Sequence, residues 1–173
     1  DNDAGYGAGI YCEEGSSPTL TDCEINNNTA ESTGGGMECW SSTPLLINCT
    51  FSSNSSNSLG GGIYLNGSSP QFTNCIITQN TSSMGGGIEC RWESNPTLTD
   101  CTISFNSSDA GALSFLYSSP TLNNCTIANN ASFDAGGGIY MWDNCNPTLN
   151  DCIITGNTVV QAAGGLYIGM ECH

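Results

Sequence analysis

Two carboxylates and one guanidinium are the side chains of this 173-residue chain best suited to acid–base chemistry. Glu38 and Glu89 each follow a glycine pair and one apolar residue, and Arg91 is the single basic residue. Two carboxylates that flank a glycosidic bond can hydrolyse it, one as acid and the other as base or nucleophile. The chain therefore offers one candidate catalytic pair, provided that the fold brings Glu38 and Glu89 together.

Aromatic residues recur beside the same carboxylates and suggest binding without chemistry. Tyrosines take the place of Glu38 and Glu89 elsewhere in the chain, and tryptophans follow shortly after. Aromatic faces bind sugar rings, so these residues form a candidate glycan-binding face. Its members are Tyr11, Glu38, Tyr64, Glu89, Tyr140, Tyr167, Trp40, Trp92 and Trp142. The simpler alternative is a solvated face whose rings shield a sheet edge or fill gaps between loops.

Composition excludes some partners and favours one compartment. A net charge of −15, with 16 acidic residues, argues against nucleic acids and anionic membranes. No apolar run long enough to cross a membrane is present. Eleven cysteines and repeated Asn-x-Ser/Thr sequons favour an extracellular or cell-surface location. The candidate N-glycosylation sites are Asn27, Asn54, Asn66, Asn80, Asn106 and Asn130.

An internal repeat organises all of these residues. The apolar residue that closes each glycine run recurs at Ile10, Met37, Ile63, Ile88, Leu113, Ile139 and Leu166, a mean period of 26 residues. Later in each unit a proline precedes a cysteine by five positions, and the cysteine precedes an asparagine by five. Self-similarity at a fixed period is typical of solenoids.

Apolar residues two apart in short pieces predict strands rather than helices. We therefore expect an all-β fold, a single parallel β-helix over residues 1–173. It would have about six coils of about 26 residues, three short strands per coil, and uncapped partial coils at both ends. The Asn or Asp before each cysteine is expected to make a left-handed turn. Asn28, Asn54, Asn80, Asn106, Asn130 and Asn157 are expected to stack as an amide ladder.

The cysteines leave several pairings open. The pairs within one coil are Cys12–Cys23, Cys39–Cys49 and Cys90–Cys101, whereas Cys145 and Cys172 would stack in adjacent loops. No Cys-x-x-Cys pair is present and His173 is terminal, so no metal site is expected. Calcium is compatible with the composition, but no motif supports it, and no cofactor is expected.

The repeat resembles that of right-handed parallel β-helices of the polymorphic outer-membrane-protein and adhesin type. Gly61-Gly62-Ile63 is similar to their Gly-Gly-x-Ile element, and Phe51-Ser52-Ser53-Asn54 to their Phe-x-x-Asn element. The resemblance implies a right-handed, pectate-lyase-like solenoid, a fold shared by adhesins, passenger domains and polysaccharide enzymes. Lyases of this type use a basic residue and cations, and here only Arg91 is basic.

These observations favour a non-catalytic extracellular structural protein: a filament subunit, surface stalk or adhesin passenger. Partners would be further copies stacked end to end, or the continuation of a longer solenoid, with glycans as possible ligands. The alternative is a carbohydrate-binding or carbohydrate-processing β-helix that uses the Tyr/Glu/Trp face. A broken Thr-x-Thr array, with Thr19, Thr21, Thr97 and Thr99, makes an ice-binding surface a weaker third reading.

Overall fold

The computed structural model describes residues 2–173 as a stack of coils, each built from short parallel strands. Each coil passes in turn through four sheets, which we name B, C, D and A. Every strand pairs in parallel with its equivalents in the neighbouring coils. No helix occurs among residues 2–173, and so none that could cross a membrane.

Sheet B carries the first strand of each coil and sheet A the last. Sheet A comprises β1 (Asp3–Tyr6), β5 (Thr29–Thr33) and β9 (Ser55–Ser56), then β16 (Ser107–Ala110), β20 (Ala131–Ala135) and β24 (Thr158–Val159). Isolated bridges through Thr81 join its two halves. Sheet B comprises β2 (Ile10–Cys12), β6 (Met37–Trp40), β10 (Ile63–Asn66), β13 (Ile88–Arg91), β17 (Leu113–Leu116), β21 (Ile139–Trp142) and β25 (Leu166–Ile168).

Sheets C and D are built from six three-residue strands each. Sheet C comprises β3 (Thr19–Thr21), β7 (Leu45–Ile47), β11 (Gln71–Thr73), β14 (Thr97–Thr99), β18 (Thr121–Asn123) and β22 (Thr148–Asn150). Sheet D comprises β4 (Glu24–Asn26), β8 (Thr50–Ser52), β12 (Ile76–Thr78), β15 (Thr102–Ser104), β19 (Thr126–Ala128) and β23 (Ile153–Thr155).

The core is a set of apolar columns inside the solenoid. Central strand residues such as Leu46, Phe72, Ile77 and Ile103 are fully or almost fully buried, while their neighbours face outward. The register places equivalent apolar residues of adjacent coils next to one another, for example Phe72 between Leu46 and Leu98. Because successive side chains alternate between the faces of a strand, the two-residue spacing in the sequence becomes an inside and an outside.

Left-handed residues turn the chain from sheet C into sheet D, as expected. In every coil this turn is made by an Asp or Asn with φ between 51° and 55°: Asp22, Asn48, Asn74, Asp100, Asn124 and Asp151. The all-β, right-handed solenoid expectation is confirmed, with a coil spacing of 24 to 27 residues along the asparagine column. The structure adds a fourth strand to the three expected per coil, because the stretch after each ladder asparagine forms sheet A, with isolated bridges in place of a strand after Asn80.

Candidate functional site

The two candidate catalytic carboxylates lie in one column on the outer side of sheet B, which we call the carboxylate column. The register aligns its members in adjacent coils as Tyr11, Glu38, Tyr64, Glu89, Ser114, Tyr140 and Tyr167. Tyr64 therefore separates Glu38 from Glu89. The expectation that this column faces solvent is wrong at its centre, because Glu38, Tyr64 and Glu89 are at most 5% exposed.

A glycine ledge between sheets A and B encloses the centre of the carboxylate column. Gly34, Gly60 and Gly85 have φ of 61° to 66° and bend the chain sharply into sheet B. A Cβ on Gly34 would lie 2.6 Å from the Glu38 Cβ, and one on Gly85 would lie 2.8 Å from the Glu89 Cβ. The side chain of each column residue thus packs over glycine backbone, which places it in the corner between two sheets rather than on an open face.

Glu38 is held by groups of its own chain. Its carboxylate accepts hydrogen bonds from the Thr33 hydroxyl and the Trp40 indole N–H. Burial raises the pKa of Glu38, and the bonds from Thr33, Trp40 and the Gly7 backbone only partly offset that rise. Both carboxylate oxygens therefore accept hydrogen bonds, which fix the Glu38 side chain in the corner between sheets A and B.

Glu89 is fully buried and pairs with the only basic residue. Arg91 Nε donates to Glu89 Oε1 at 2.7 Å, and Arg91 Nη2 contacts Met84 Sδ at 3.5 Å. Burial raises the pKa of Glu89, while the Arg91 charge opposes the rise. Glu89 Oε2 and Ser114 Oγ lie at facing positions, yet neither has a hydrogen-bond partner of normal geometry among residues 2–173. The Ser114 hydroxyl can itself donate to Oε2, and this contact opposes the rise of the Glu89 pKa together with the Arg91 charge.

Aromatic side chains outside sheet B stack on one another. Near the last coils, Tyr140 and Tyr167 have ring centroids 5.3 Å apart and planes within 14°. Trp142 lies 6.4 Å from Tyr167 and packs over Gly169, whose added Cβ would meet the Trp142 ring at 2.6 Å. The faces of these rings are largely turned toward neighbouring rings. The aromatic rings of residues 140–167 therefore form one stacked cluster, and the glycan-binding role of the Tyr/Glu/Trp face stays a prediction.

A second column ends sheet B and was not recognised from the sequence. Its members share a left-handed backbone with φ of 48° to 58°, and we call it the αL column: Glu14, Ser41, Gly67, Trp92, Tyr117 and Asp143. Trp92 and Tyr117 stack at 4.9 Å, and the Tyr117 hydroxyl donates to Asp143 Oδ2 at 3.1 Å. Aligning the repeat four residues after each marker would have found the column, including Tyr117.

The asparagine ladder forms at the corner between sheets D and A. Each Nδ2 donates to the Oδ1 one coil further on, at 3.0 Å from Asn54 to Asn80 and 3.0 Å from Asn80 to Asn106. Asn2 adds a rung above Asn28. Glycosylation of Asn54, Asn80, Asn106 and Asn130 is incompatible with the folded ladder, since their amide nitrogens are buried donors. Of the remaining predicted sites, Asn27 is exposed and Asn66 partly exposed.

The thiols form columns between coils rather than pairs within a coil. A hydrogen bond with Cys39 lowers the pKa of Cys12, and Cys101 has Cys75 and Cys125 as its thiol neighbours. The in-coil pairs Cys12–Cys23, Cys39–Cys49 and Cys90–Cys101 are therefore not the thiol contacts that the fold creates. Cys145 and Cys172 do meet in adjacent loops. All eleven cysteines are free thiols in the structure.

Cys145 also continues a buried serine ladder that the sequence analysis did not identify. Each backbone N–H donates to the serine hydroxyl of the next coil: Ser42 N to Ser68 Oγ at 3.0 Å, Ser68 N to Ser94 Oγ at 3.1 Å and Ser94 N to Ser118 Oγ at 3.2 Å. The Ser118 backbone N–H in turn bonds to the Cys145 thiol. The Cys145 thiol then donates to the Phe115 carbonyl at 3.3 Å. No group of three or more His, Cys, Asp or Glu side chains able to hold a metal ion occurs within residues 2–173.

Comparison with known proteins identifies the family. The family model described as the right handed beta helix region matches residues 2–83 and residues 45–173, which together span nearly the whole chain. The chain therefore belongs to the right-handed β-helix family. No curated protein and no solved structure matches it.

Proposed function

We propose that this chain is a non-catalytic structural β-solenoid that acts outside the cell as a surface stalk, adhesin passenger or filament subunit, without a cofactor. The observation that carries the proposal is the state of the two candidate catalytic carboxylates. Glu38 and Glu89 are 1% and 0% exposed and are bound by Thr33, Trp40 and Arg91 of the same chain. A general acid must reach the leaving-group oxygen, so carboxylates enclosed in this way favour a structural role.

The single basic residue supports the same proposal. A lyase mechanism needs a base near the substrate, and Arg91 is committed to its ion pair with Glu89. The remaining polar columns also bond from coil to coil: the asparagine ladder and the serine ladder both join consecutive coils. Side chains that bond along the axis stiffen a rod. The accessible sequons of Asn27 and Asn66 favour an extracellular site of action.

Activity assays on purified protein test the non-catalytic part of the proposal. Neutral and acidic polysaccharides would be incubated with the native chain, with Glu89→Gln and with Glu38→Gln. New reducing ends would report hydrolysis, and unsaturated uronate absorbance would report elimination. We expect product at the level of buffer for all three proteins. Turnover by the native chain that disappears in Glu89→Gln would show that the chain is an enzyme.

Light scattering and negative-stain imaging over a dilution series choose among the structural roles. Filaments of uniform width that lengthen with concentration identify a filament subunit. A monomeric rod at every concentration identifies a stalk or passenger. The same series with reductant shows whether intermolecular disulfides contribute to any assembly.

A further inference from the structure

One face of Trp92 in the αL column has no neighbour to stack on it. Trp92 and Tyr117 stack with centroids 4.9 Å apart and planes 13° apart. This distance is close to the ~4.8 Å between adjacent strands, so the two rings stack on each other along the solenoid axis. The opposite face of Trp92 is therefore turned toward the preceding coil.

The preceding coil leaves that position empty, because its member of the αL column is Gly67. A Cβ built on Gly67 would have only Ser41 Oγ at 3.7 Å and the Trp92 carbonyl oxygen at 3.8 Å within contact range. The ledge glycine Gly60, by contrast, has backbone atoms 2.4 Å from such a Cβ site and admits no substituent. One layer of the column, bounded by Trp92 and Ser41, is thus open, and Trp92 is 53% exposed. We call this layer the Trp92 gap.

We propose that the Trp92 gap is a binding subsite for one ring of a neutral saccharide, which stacks on the free face of Trp92 above Gly67. A pyranose ring has an apolar face of C–H groups and a rim of hydroxyls, so it matches an indole face flanked by polar groups. The exposed residues Ser41 and Glu93 lie on either side of the gap along the chain and supply a hydroxyl and a carboxylate for the rim.

Charge selects a neutral ring over an anionic one. The chain carries a net charge of −15, its one basic side chain is paired with Glu89, and Glu93 and Asp143 lie beside the stack. Uronic acids and nucleotides are anionic, so the negative charge around Trp92 would repel them.

Two sources could supply the stacked ring. The first is a free saccharide of another molecule. The second is a sugar attached to this chain at Asn66, which directly precedes Gly67 in the sequon Asn66-Gly67-Ser68. The Asn66 side chain is partly exposed, and its Nδ2 donates to the Tyr64 hydroxyl at 3.1 Å.

The first test titrates unglycosylated protein with cellotetraose, chitotetraose and tetragalacturonate, followed by tryptophan fluorescence and calorimetry. For the free-saccharide source we expect saturable binding of a neutral tetrasaccharide. Trp92→Ala removes the stacking face, and Gly67→Asn fills the gap with a side chain that tolerates a left-handed backbone. Each should weaken binding at least about tenfold, the loss expected for one stacked ring.

A matched control separates filling of the gap from a general effect of the substitution. Gly15 also has a left-handed backbone, with φ of 80°, and open space around it, so Gly15→Asn makes the same change away from Trp92. We expect Gly15→Asn to bind like the native chain, and circular dichroism melts to show that every variant folds. Native-like binding by Trp92→Ala and Gly67→Asn, or tighter binding of tetragalacturonate than of both neutral sugars, would overturn the proposal.

The second test examines the attached sugar in protein secreted from a eukaryotic host. Mass spectrometry reports the glycan on Asn66, and the part of the acrylamide quenching that Trp92→Phe removes reports access to Trp92. If the stacked ring comes from the Asn66 glycan, acrylamide should quench Trp92 less in the glycosylated protein than after enzymatic removal of the glycan. Asn66→Gln should be quenched as strongly as the deglycosylated protein. Two results together would refute a saccharide subsite. Neither neutral sugar would bind in the first test, and quenching would be the same with and without the Asn66 glycan.

Discussion

The asparagine ladder and the αL column are both stacks of equivalent residues, yet their sequences behave in opposite ways. From Asn28 to Asn157 the ladder uses the same residue in every coil, and its interior members are at most 3% exposed. The αL column changes residue in every coil, from glutamate to serine, glycine, tryptophan, tyrosine and aspartate, and Trp92 is half exposed.

Hydrogen bonding explains the difference. A buried amide must satisfy both its donor and its acceptor, and only another amide one coil away can do so repeatedly. The αL column needs only a residue that tolerates positive φ at the surface, where water satisfies any polar group. Repetition therefore marks the part of the rod that maintains its structure, and variation marks the part free to acquire a binding function.

The largest effect on stability is expected from breaking the ladder with Asn80→Ala. Asn80 accepts from the backbone and side chain of Asn54 and donates to Phe51 and Asn106. Alanine leaves several of these partners buried and unsatisfied, so the free energy of unfolding should fall by roughly 3–5 kcal/mol. Urea denaturation followed by circular dichroism measures the change.

Asn57→Ala is the matched control for the ladder, because Asn57 is exposed on the outer side of the same solenoid. Its free energy of unfolding should stay within about 0.5 kcal/mol of the native value. If Asn80→Ala unfolds at the same urea concentration as Asn57→Ala, the ladder does not hold the coils together.

An intermediate effect, visible in the pH dependence of stability, is expected at Glu38 in the carboxylate column. Its pKa is raised in the folded chain, so folding favours its protonated form. The stabilisation is complete below the ordinary value of 4.5 and is lost as pH rises through the folded pKa. Native protein should therefore become less stable from about pH 4.5 toward neutrality.

Glu38→Gln keeps the shape of the side chain and cannot ionise, so it should flatten that pH slope. It should remove part of the slope and leave the rest, because the pKa of Glu89 is raised in the same direction. Urea midpoints at several pH values measure it. Glu31→Gln removes an equal charge at an exposed position of the neighbouring strand in sheet A. Identical slopes for the two variants would attribute the effect to overall repulsion and not to burial.

The smallest effect on stability is expected in the αL column. Trp92→Ala removes a single stack on Tyr117, so the free energy of unfolding should fall by no more than about 1 kcal/mol. Thermal melts beside Asn80→Ala make the comparison direct. A loss as large as that of the ladder variant would mean that this column also maintains the structure.

The repeat made most of the scaffold predictable. Two-residue apolar spacing indicated the strands, the Asn or Asp before each cysteine indicated the left-handed turn, and the five-residue offset to asparagine indicated the ladder. Sheet A was missed because its Ser- and Thr-rich strands lack an apolar alternation. Gly67 and Tyr117 were missed because a variable column carries no repeated residue to align.

The candidate site could not be predicted in the same way. Alternation places Glu38 and Glu89 on the outer side of sheet B, but whether that side meets solvent depends on the angle between sheets A and B. That angle is made by Gly34 and Gly85, which lie against the Cβ atoms of Glu38 and Glu89. The cysteines likewise contact cysteines of adjacent coils and not those of their own coil. The distance between two cysteines of one coil depends on the cross-section of the core, which local spacing does not give.

The sequence by itself determined the period, the strand faces, the turns and the family, since each follows from local spacing and backbone preference. Only the tertiary structure decided which outward side chains are enclosed, which rings stack on one another and where a stack has a missing layer. These properties depend on contacts between residues about 26 positions apart, and no local pattern encodes the angle at which neighbouring sheets meet.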